Sequence, residues 1–238
     1  YYEDVYATTV NSEDENHAND TLFTKIYAAP TYELPYAQNF DNEVNFWIVK
    51  GANSSWKLGE PQGTSIDEAN SGPNVWMTGL YDEYNQNDTS YVEGPCFDLT
   101  EANYPILDLH LAGNPDELND DGVAIEYSLD NGESWQLVDT TGENLGFQWY
   151  NNSNINALGH AGWDTVTTTN GWINVRCLIT EPISNHSSVK FRVKFASDGD
   201  NYKEDGFAFD DFKIYDAPPD VGVDTILYPD QHCMLTEG

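Results

Sequence analysis

Basic residues are scarce in this sequence. Its 238 residues include 9 Lys and Arg against 41 Asp and Glu, which gives a formal net charge of −32. Such a surface repels phosphate backbones and anionic lipid head groups, so the composition excludes nucleic acid as a partner and disfavours anionic membranes. It suits divalent cations in a calcium-rich exterior, although a solvated acidic face explains most individual carboxylates.

Cysteines and long apolar segments are also few. No run of apolar residues is long enough to span a bilayer, so direct membrane insertion is not expected. The sequence shows no signal peptide, so an exported protein would stand here in mature or cut form. Three cysteines, Cys96, Cys177 and Cys233, do not make a dense disulfide framework. Cys96 and Cys177 either pair with each other or serve as small core residues.

Long amphipathic helical patterns are absent, and short alternating apolar segments take their place. With 39% hydrophobic and 13% aromatic residues, the chain can fill a core. Segments punctuated by Gly, Asn, Asp and Pro predict an all-β protein, an antiparallel β-sandwich. The predicted strands are residues 45–51, 54–60, 74–80, 90–99, 105–113, 122–129, 134–140, 171–179, 189–198 and 206–215.

The sequence also lacks the common catalytic motifs. Its 5 histidines are scattered without metal-ligand spacing, and it has neither a G-x-S-x-G elbow nor a phosphate-binding glycine loop. One S-x-D-x-G-x-x-W motif (Ser128, Asp130, Gly132, Trp135) resembles the Asp-box of sialidases. Because turn residues explain every position of it, the motif predicts a stable hairpin around Asn131-Gly132. We expect no enzymatic activity.

Two adjacent aspartates lie within the last strong strand pattern, "DGFAFDDFKIYDAPP" (205–219). Side chains alternate between the faces of a strand, so Asp210 and Asp211 are not both expected to face solvent if the strand is covered on both sides. A buried carboxylate is costly unless it is hydrogen-bonded, paired or bound to metal. These two residues are therefore candidates for a site.

The two ends of the chain have a different pattern. Residues 5–30 indicate a strand, an acidic loop and a second strand, and residues 218–238 indicate a linker and one strand. Neither piece can close a sheet by itself. Two alternatives remain open: the chain is a slice of a longer multidomain protein, or neighbouring copies complete each other's sheets.

A known family shares several of these motifs in the same order. The segments are "LPYAQNFDN" (34–42), "WKLGEPQG" (56–63), "NSGPNVWMTGL" (70–80), "YVEGPCFDL" (91–99), "DGVAIEYSLDNGESW" (121–135), "FRVKFASD" (191–198) and "DGFAFDDFKI" (205–214). Over residues 31–217 the chain resembles a MAM-like, concanavalin-like jelly-roll domain of Bacteroidota cell-surface proteins. Residues 1–30 resemble the last hairpin of an Ig-like, CARDB-type module, and residues 218–238 resemble the first strand of another.

The resemblance implies a structural calcium ion between the first and last strands. Carried onto this sequence, its ligands are Asp41 and either Asp210 or Asp211. The alternative is that one aspartate caps the amides of a neighbouring loop while the other is solvated.

A long Asn- and Gly-rich segment, residues 145–165, carries Trp149, Tyr150 and Trp163. Aromatic rings beside amides suit a sugar-binding face, so these residues are candidates for a surface-glycan site. The alternative is packing, because large aromatic side chains usually bury most of their area.

The resemblance implies a function outside the cell. We expect a non-catalytic module of a large exported cell-surface protein that acts in adhesion, in gliding motility or in a surface filament and is exported by type IX secretion. Its partners would be neighbouring Ig-like or MAM-like modules. The alternative is an accessory, carbohydrate-binding module of a secreted hydrolase.

Overall fold

A computed structural model describes residues 2–8, 21–27, 30–42, 45–114, 120–138, 146–166, 171–200 and 204–217. These residues form strands, turns and loops, and no helix long and apolar enough to cross a membrane is found among them. The strands are β1 (Tyr2–Thr8), β2 (Thr21–Tyr27), β3 (Thr31–Tyr32), β4 (Tyr36–Gln38), β5 (Ile48–Ala52), β6 (Lys57–Gly59), β7 (Val75–Met77), β8 (Thr89–Phe97), β9 (Pro105–Asn114), β10 (Gly122–Ser128), β11 (Gln136–Leu137), β12 (Gly146–Phe147), β13 (Asn152–Ile155), β14 (His160–Gly162), β15 (Ile173–Leu178), β16 (Val189–Ala196) and β17 (Gly206–Asp216).

Two sheets make up the sandwich. The first sheet has 6 strands in the order β11-β10-β16-β8-β3, with β5 also paired to β8. The second sheet has 7 strands in the order β12-β15-β9-β17-β7-β6, with β4 also paired to β17. Pairing is antiparallel except between β3 and β8. The prediction of an all-β antiparallel sandwich is confirmed, and each predicted strand overlaps an observed one.

Alternation along the strands builds the core between the sheets. In β16, Phe191, Val193 and Phe195 are fully buried, whereas the basic residues between them lie on the outer face. The second sheet contributes Phe207, Phe209 and Phe212 to the same core. Each buried Phe side chain contributes about 1.5–3 kcal/mol of hydrophobic free energy, so the period-two pattern supplies a large favourable term in folding.

The loop between β6 and β7, residues 60–74, covers part of the outer face of the second sheet. Ile66 packs there with Ala112 of β9 and Ala208 of β17, which alternate with core residues along their strands. This β6–β7 loop lies over the middle of the sheet, beside the two aspartates of β17.

The opening and closing strands lie side by side, as the sequence predicts. Strand β4 pairs with β17, with Gln38 opposite Phe212 and Tyr36 opposite Ile214. Strands β1 and β2 pair antiparallel with Tyr2 opposite Tyr27, in keeping with the two predicted strands. The predicted loop between them and residues 218–238 lie outside the described residues, and that the pair belongs to an Ig-like module stays a prediction.

Candidate functional site

A bulge in β17 places Asp210 and Asp211 on the same side of the strand. The pairing register with β9 shifts between Asp210 and Lys213, and Asp211 has a positive φ of 52°. The residues on either side, Phe209 and Phe212, both point into the core. Because the bulge adds one residue between two inward-facing positions, both carboxylates reach the outer face. Strict alternation would have separated them.

Both carboxylates meet the end of the β6–β7 loop. The main-chain N–H of Ser71 donates to Asp210 Oδ2 at 2.9 Å, and Asn70 Nδ2 donates to Asp211 Oδ2 at 2.7 Å. Asp41, which follows β4, reaches the same loop, because Asn74 N donates to its Oδ1 at 3.2 Å. The three aspartates named from the sequence are thus brought together around residues 70–74.

Gly72 lies where the loop comes closest to these side chains. Its φ is 57°, a left-handed conformation that favours glycine, and a Cβ atom at this position would overlap the carboxylate of Asp41. Asn39 Nδ2 donates to the same carboxylate at 2.7 Å and fixes its orientation. Asp41 therefore takes the space that a side chain at position 72 would occupy.

Asp210 is in an unfavourable electrostatic environment as a free carboxylate. Its exposed fraction is 0%, and its hydrogen bonds come from the main-chain N–H groups of Ser71 and Asp211. Burial raises the pKa of Asp210 to about 7; the two N–H groups oppose this rise, and the negative charges of Asp211 and Asp41 add to it. A positive charge near this carboxylate would lower the pKa of Asp210 again.

Two basic groups lie beside the three-carboxylate cluster, and of these two only Lys213 brings a positive charge. Lys213 Nζ lies 3.8 Å from Asp211 Oδ1, and His110 Nδ1 lies 3.8 Å from Asp211 Oδ2. Burial lowers the pKa of His110, with the charge of Asp211 opposing it, so the imidazole is neutral at neutral pH. The cluster of Asp41, Asp210 and Asp211 therefore carries surplus negative charge.

One polar atom beside Asp210 lacks a partner. Ser71 Oγ is buried and makes no hydrogen bond. A buried hydroxyl next to a buried carboxylate is a donor set that a hard cation can use. In the described part of the chain, however, no three Asp, Glu, His or Cys side chains converge as a complete metal site. A cation here would need oxygens from the loop or from water as well.

Other buried aspartates also hold loops. Asp205 accepts hydrogen bonds from the main-chain N–H groups of Thr64, Ser65 and Ile66, including 3.0 Å to Thr64 and 2.8 Å to Ile66. Asp88 accepts from both the N–H and the hydroxyl of Ser55, at 2.7 and 2.6 Å. Asp205 and Asp88 therefore serve as hydrogen-bond acceptors that hold these loops in place.

The aromatic candidates Trp149, Tyr150 and Trp163 pack against one another. Trp149 is 9% exposed and Trp163 is 1% exposed, and both belong to the core cluster. The Tyr150 and Trp163 ring centroids are 4.6 Å apart, and Tyr150 Oη donates to the carbonyl of Ile125 at 3.1 Å. Since buried rings present no face to a sugar, the geometry favours the packing alternative for Trp149 and Trp163. Tyr150 is partly buried and packs against the same core cluster.

Cys96 and Cys177 are not paired with each other, because Cys96 is a free thiol. Cys177 is a buried core residue. The core alternative therefore describes Cys177, while Cys233 lies outside the described residues.

Sequence reasoning missed the part of the site that comes from the loop. Asn70, Ser71 and Gly72 form a turn-like "NSGPN" segment whose composition indicates only a loop. His110 reads as an ordinary strand residue. Only the folded chain shows that these residues meet β17.

No protein-family model matches the chain, and no curated protein matches it. Among solved structures, the K2 cleaved adhesin domain of Lys-gingipain is similar at 15% sequence identity and a TM-score of 0.45, over 77% of this chain and 99% of that domain. The K1 domain from Porphyromonas gingivalis W83 has 14% identity and a TM-score of 0.44, over 77% and 99%. The C-terminal family 22 carbohydrate-binding module of Clostridium thermocellum Xyn10B has 11% identity and a TM-score of 0.41, over 76% and 93%. These values are too low to place the chain in a family or to carry a function over to it.

Proposed function

We propose that the chain is a non-catalytic adhesion module of a large exported bacterial cell-surface protein, braced by one calcium ion. The observation that carries this proposal is the meeting of Asp41, Asp210 and Asp211 at residues 70–74. These carboxylates contact a loop and lie beside the Ser71 hydroxyl, which makes no hydrogen bond, and they do not line a substrate cleft. In this reading they hold the surface of the sandwich in one shape, which an adhesive surface requires.

The setting that we propose follows from the charge and the family resemblance. A net charge of −32 suits the calcium-rich exterior of a cell. The module would stand between Ig-like neighbours of the same or an adjacent chain, in an adhesin, a gliding-motility protein or a surface filament exported by type IX secretion.

The residues around Asp210 fit calcium in charge and in chemistry. Calcium takes about six to eight oxygen ligands from carboxylates, carbonyls and water. Asp41, Asp210 and Asp211 would supply carboxylate oxygens, and the unpartnered Ser71 Oγ would supply another. The ion would neutralise the surplus negative charge and keep Asp210 ionised. It would also link β4, β17 and the β6–β7 loop.

Calcium should therefore stabilise the protein. At a free concentration of about 100 times Kd, a ligand that binds only the folded state adds about 2.7 kcal/mol. For a chain of this size that corresponds to a rise in Tm of about 5–11 °C over the EDTA-treated protein. Differential scanning calorimetry measures the shift, and isothermal titration measures the binding.

The substitution Asp210→Asn gives the sharper result. It removes a buried carboxylate whose pKa is raised, so the calcium-free variant should melt at or above the wild-type temperature at pH 8, yet gain no stability from calcium. Asp67→Asn, an exposed carboxylate on the same loop, should leave the calcium response intact. Equal Tm values in calcium and EDTA, with no heat of binding, would contradict the proposal.

A further inference from the structure

A cavity of about 400 Å³ lies between the β6–β7 loop and the outer face of the second sheet. Its sheet side comes from His110 and Ala112 of β9 and Asn174 of β15, and its walls are residues 65–70 and Trp172. The volume falls in the range of about 300–1,000 Å³ typical of small-ligand sites. The cavity lies on the opposite side of the second sheet from the sandwich core. Because Trp149 and Trp163 belong to that core, the cavity is separate from them.

Contacts that do not involve a ligand hold two of the lining side chains in place. Trp172 Nε1 donates to the carbonyl of Glu68 at 3.0 Å, and the Trp172 side chain packs against the apolar cluster under the loop. Asn174 Nδ2 donates to Asp108 Oδ1 at 2.6 Å, which fixes the plane of its amide. The indole and the amide are therefore oriented before any ligand arrives, which lowers the entropic cost of binding.

His110 supplies a polar ring to the sheet side of the cavity. Its Nδ1 is buried and makes no hydrogen bond, the Asp211 oxygen being 3.8 Å away. A neutral imidazole has one donor and one acceptor nitrogen. Because Nδ1 is buried, the ring nitrogen left for a ligand hydroxyl is Nε2, which donates or accepts according to the tautomer.

The charges around the cavity select against anions. Asp67 and Glu68 line it, and Asp211 lies behind His110, in a chain whose net charge is −32. Carboxylates are strong acceptors for hydroxyl groups. Asn174 Nδ2 donates within the fold to Asp108 and to the Leu109 carbonyl, so Asn174 offers its Oδ1 as an acceptor. The Asn70 amide donates once, to Asp211, and keeps one N–H and its oxygen. An indole beside such groups provides an apolar surface for a ring that is polar at its edge.

We infer that this cavity binds one ring of a neutral saccharide, with Trp172 against the ring and His110, Asn70 and Asn174 on its hydroxyls. This inference rests on the proposed adhesive function and names the chemical class of its target. Asn70 and His110 also border the calcium site, but Trp172 and Asn174 belong to the saccharide cavity alone, and a different measurement tests it.

The test is a titration of ¹⁵N-labelled full chain, kept in calcium, with glucose, galactose, mannose, xylose and N-acetylglucosamine. At about 10 mM sugar, a Kd of about 1 mM gives nearly complete saturation. At least one sugar should shift the Trp172 Nε1–H and Asn174 side-chain resonances saturably. His110→Ala and Asn174→Ala should each weaken binding about 2- to 10-fold, the loss of one hydrogen bond.

A matched control variant shows whether a change in sugar affinity is indirect. Asn154→Ala removes an exposed amide on β13 and should leave the affinity unchanged. Thermal melts confirm that each variant folds, and if His110→Ala does not fold, Asn174→Ala carries the test. The inference is overturned if no sugar gives a saturable shift at Trp172, if binding is unchanged in Asn174→Ala, or if a simple amine binds there in place of every sugar. Repeating the titration in EDTA separates loss of calcium from loss of sugar binding.

Discussion

Glu126 is a buried carboxylate on the outer face of the first sheet, surrounded by basic groups. Arg192 Nε donates to its Oε2 at 2.6 Å and Lys194 Nζ donates to its Oε1 at 3.1 Å, while His160 Nε2 lies 3.4 Å away. Burial by itself would raise the pKa of Glu126. The contact with His160 and the charges of Arg192 and Lys194 outweigh burial and lower that pKa to about 2.

The variant Glu126→Gln should show the effect of this pKa on stability. The ionised form is favoured in the folded state, so its contribution is fully present above pH 4.5 and is lost as the pH falls towards 2. At pH 7 we expect a loss of about 3 kcal/mol in the free energy of unfolding. Urea denaturation at pH 7, 4 and 2.5 measures it, and the difference from wild type should shrink at the lowest pH.

Glu133→Gln is the control, because Glu133 is an exposed carboxylate in the neighbouring hairpin turn. Its stability should stay within about 0.5 kcal/mol of wild type at pH 7. A Glu126→Gln difference that does not change with pH would contradict the assignment of the charge network.

Single residues also show the limit of sequence reasoning at this scale. The pair Asp210-Asp211 stands out because a strand with two adjacent carboxylates violates simple alternation. Glu126 does not stand out among 41 acidic residues, although it is buried and paired. Its importance depends on Arg192 and Lys194, which reach it only across a strand pair.

At the scale of elements, the β6–β7 loop has no regular structure of its own. Asp205 accepts hydrogen bonds from the main-chain N–H groups of residues 64–66 and so holds the middle of the loop, while the three-aspartate cluster holds its end. Both anchors stand at or near β17. The conformation of the loop therefore depends on the closing strand.

Asp205→Ala should release this loop. Removing the acceptor leaves three N–H groups without their partner, and we expect a loss of about 1.5–3 kcal/mol. Amide hydrogen exchange of residues 64–66 should speed up more than exchange in β16. Asp82→Ala, an exposed carboxylate nearby, should change neither quantity. Unchanged exchange at residues 64–66 in Asp205→Ala would show that the loop has another anchor.

The Asp-box hairpin illustrates an element that the sequence describes correctly. Asn131 and Gly132 have φ values of 61° and 96°, as a tight turn requires. Gly132 N donates to Ser128 Oγ at 2.8 Å, and Trp135 Nε1 donates to the Gly132 carbonyl at 3.1 Å. Hydrogen bonds from the hydroxyl and N–H of Ser134 lower the pKa of Asp130. These contacts join residues of the hairpin to one another, so the motif stabilises the turn, as the sequence predicts.

For the whole molecule, the decisive feature is that β17, the last strand among the described residues, is central in its sheet. Strand β17 lies between β9 and β7 in the second sheet and also pairs with β4. The sandwich is thus complete only when residues near both boundaries of 31–217 have come together. Such contacts between distant parts of the chain favour slow, cooperative folding.

A fragment of residues 30–217 should fold independently and unfold in one cooperative transition. A shorter fragment, residues 30–203, should not fold, because it lacks β17 and its buried Phe207, Phe209 and Phe212. Circular dichroism melts and dispersed amide spectra distinguish the two. Loss of folding in the fragment 30–217 would show that the flanking residues belong to the same cooperative unit.

The sequence by itself determined the all-β class, the positions of the main strands and the turn at Asn131-Gly132. These features follow from alternation and turn chemistry, which act between residues close along the chain. The tertiary structure decided which carboxylates are buried, that the bulge in β17 turns Asp210 and Asp211 to one side, and that Ser71 and His110 lie beside them. Those contacts join residues far apart, 139 positions in the case of Ser71 and Asp210. No local pattern encodes such a distance, because only the closing of the two sheets brings these residues together.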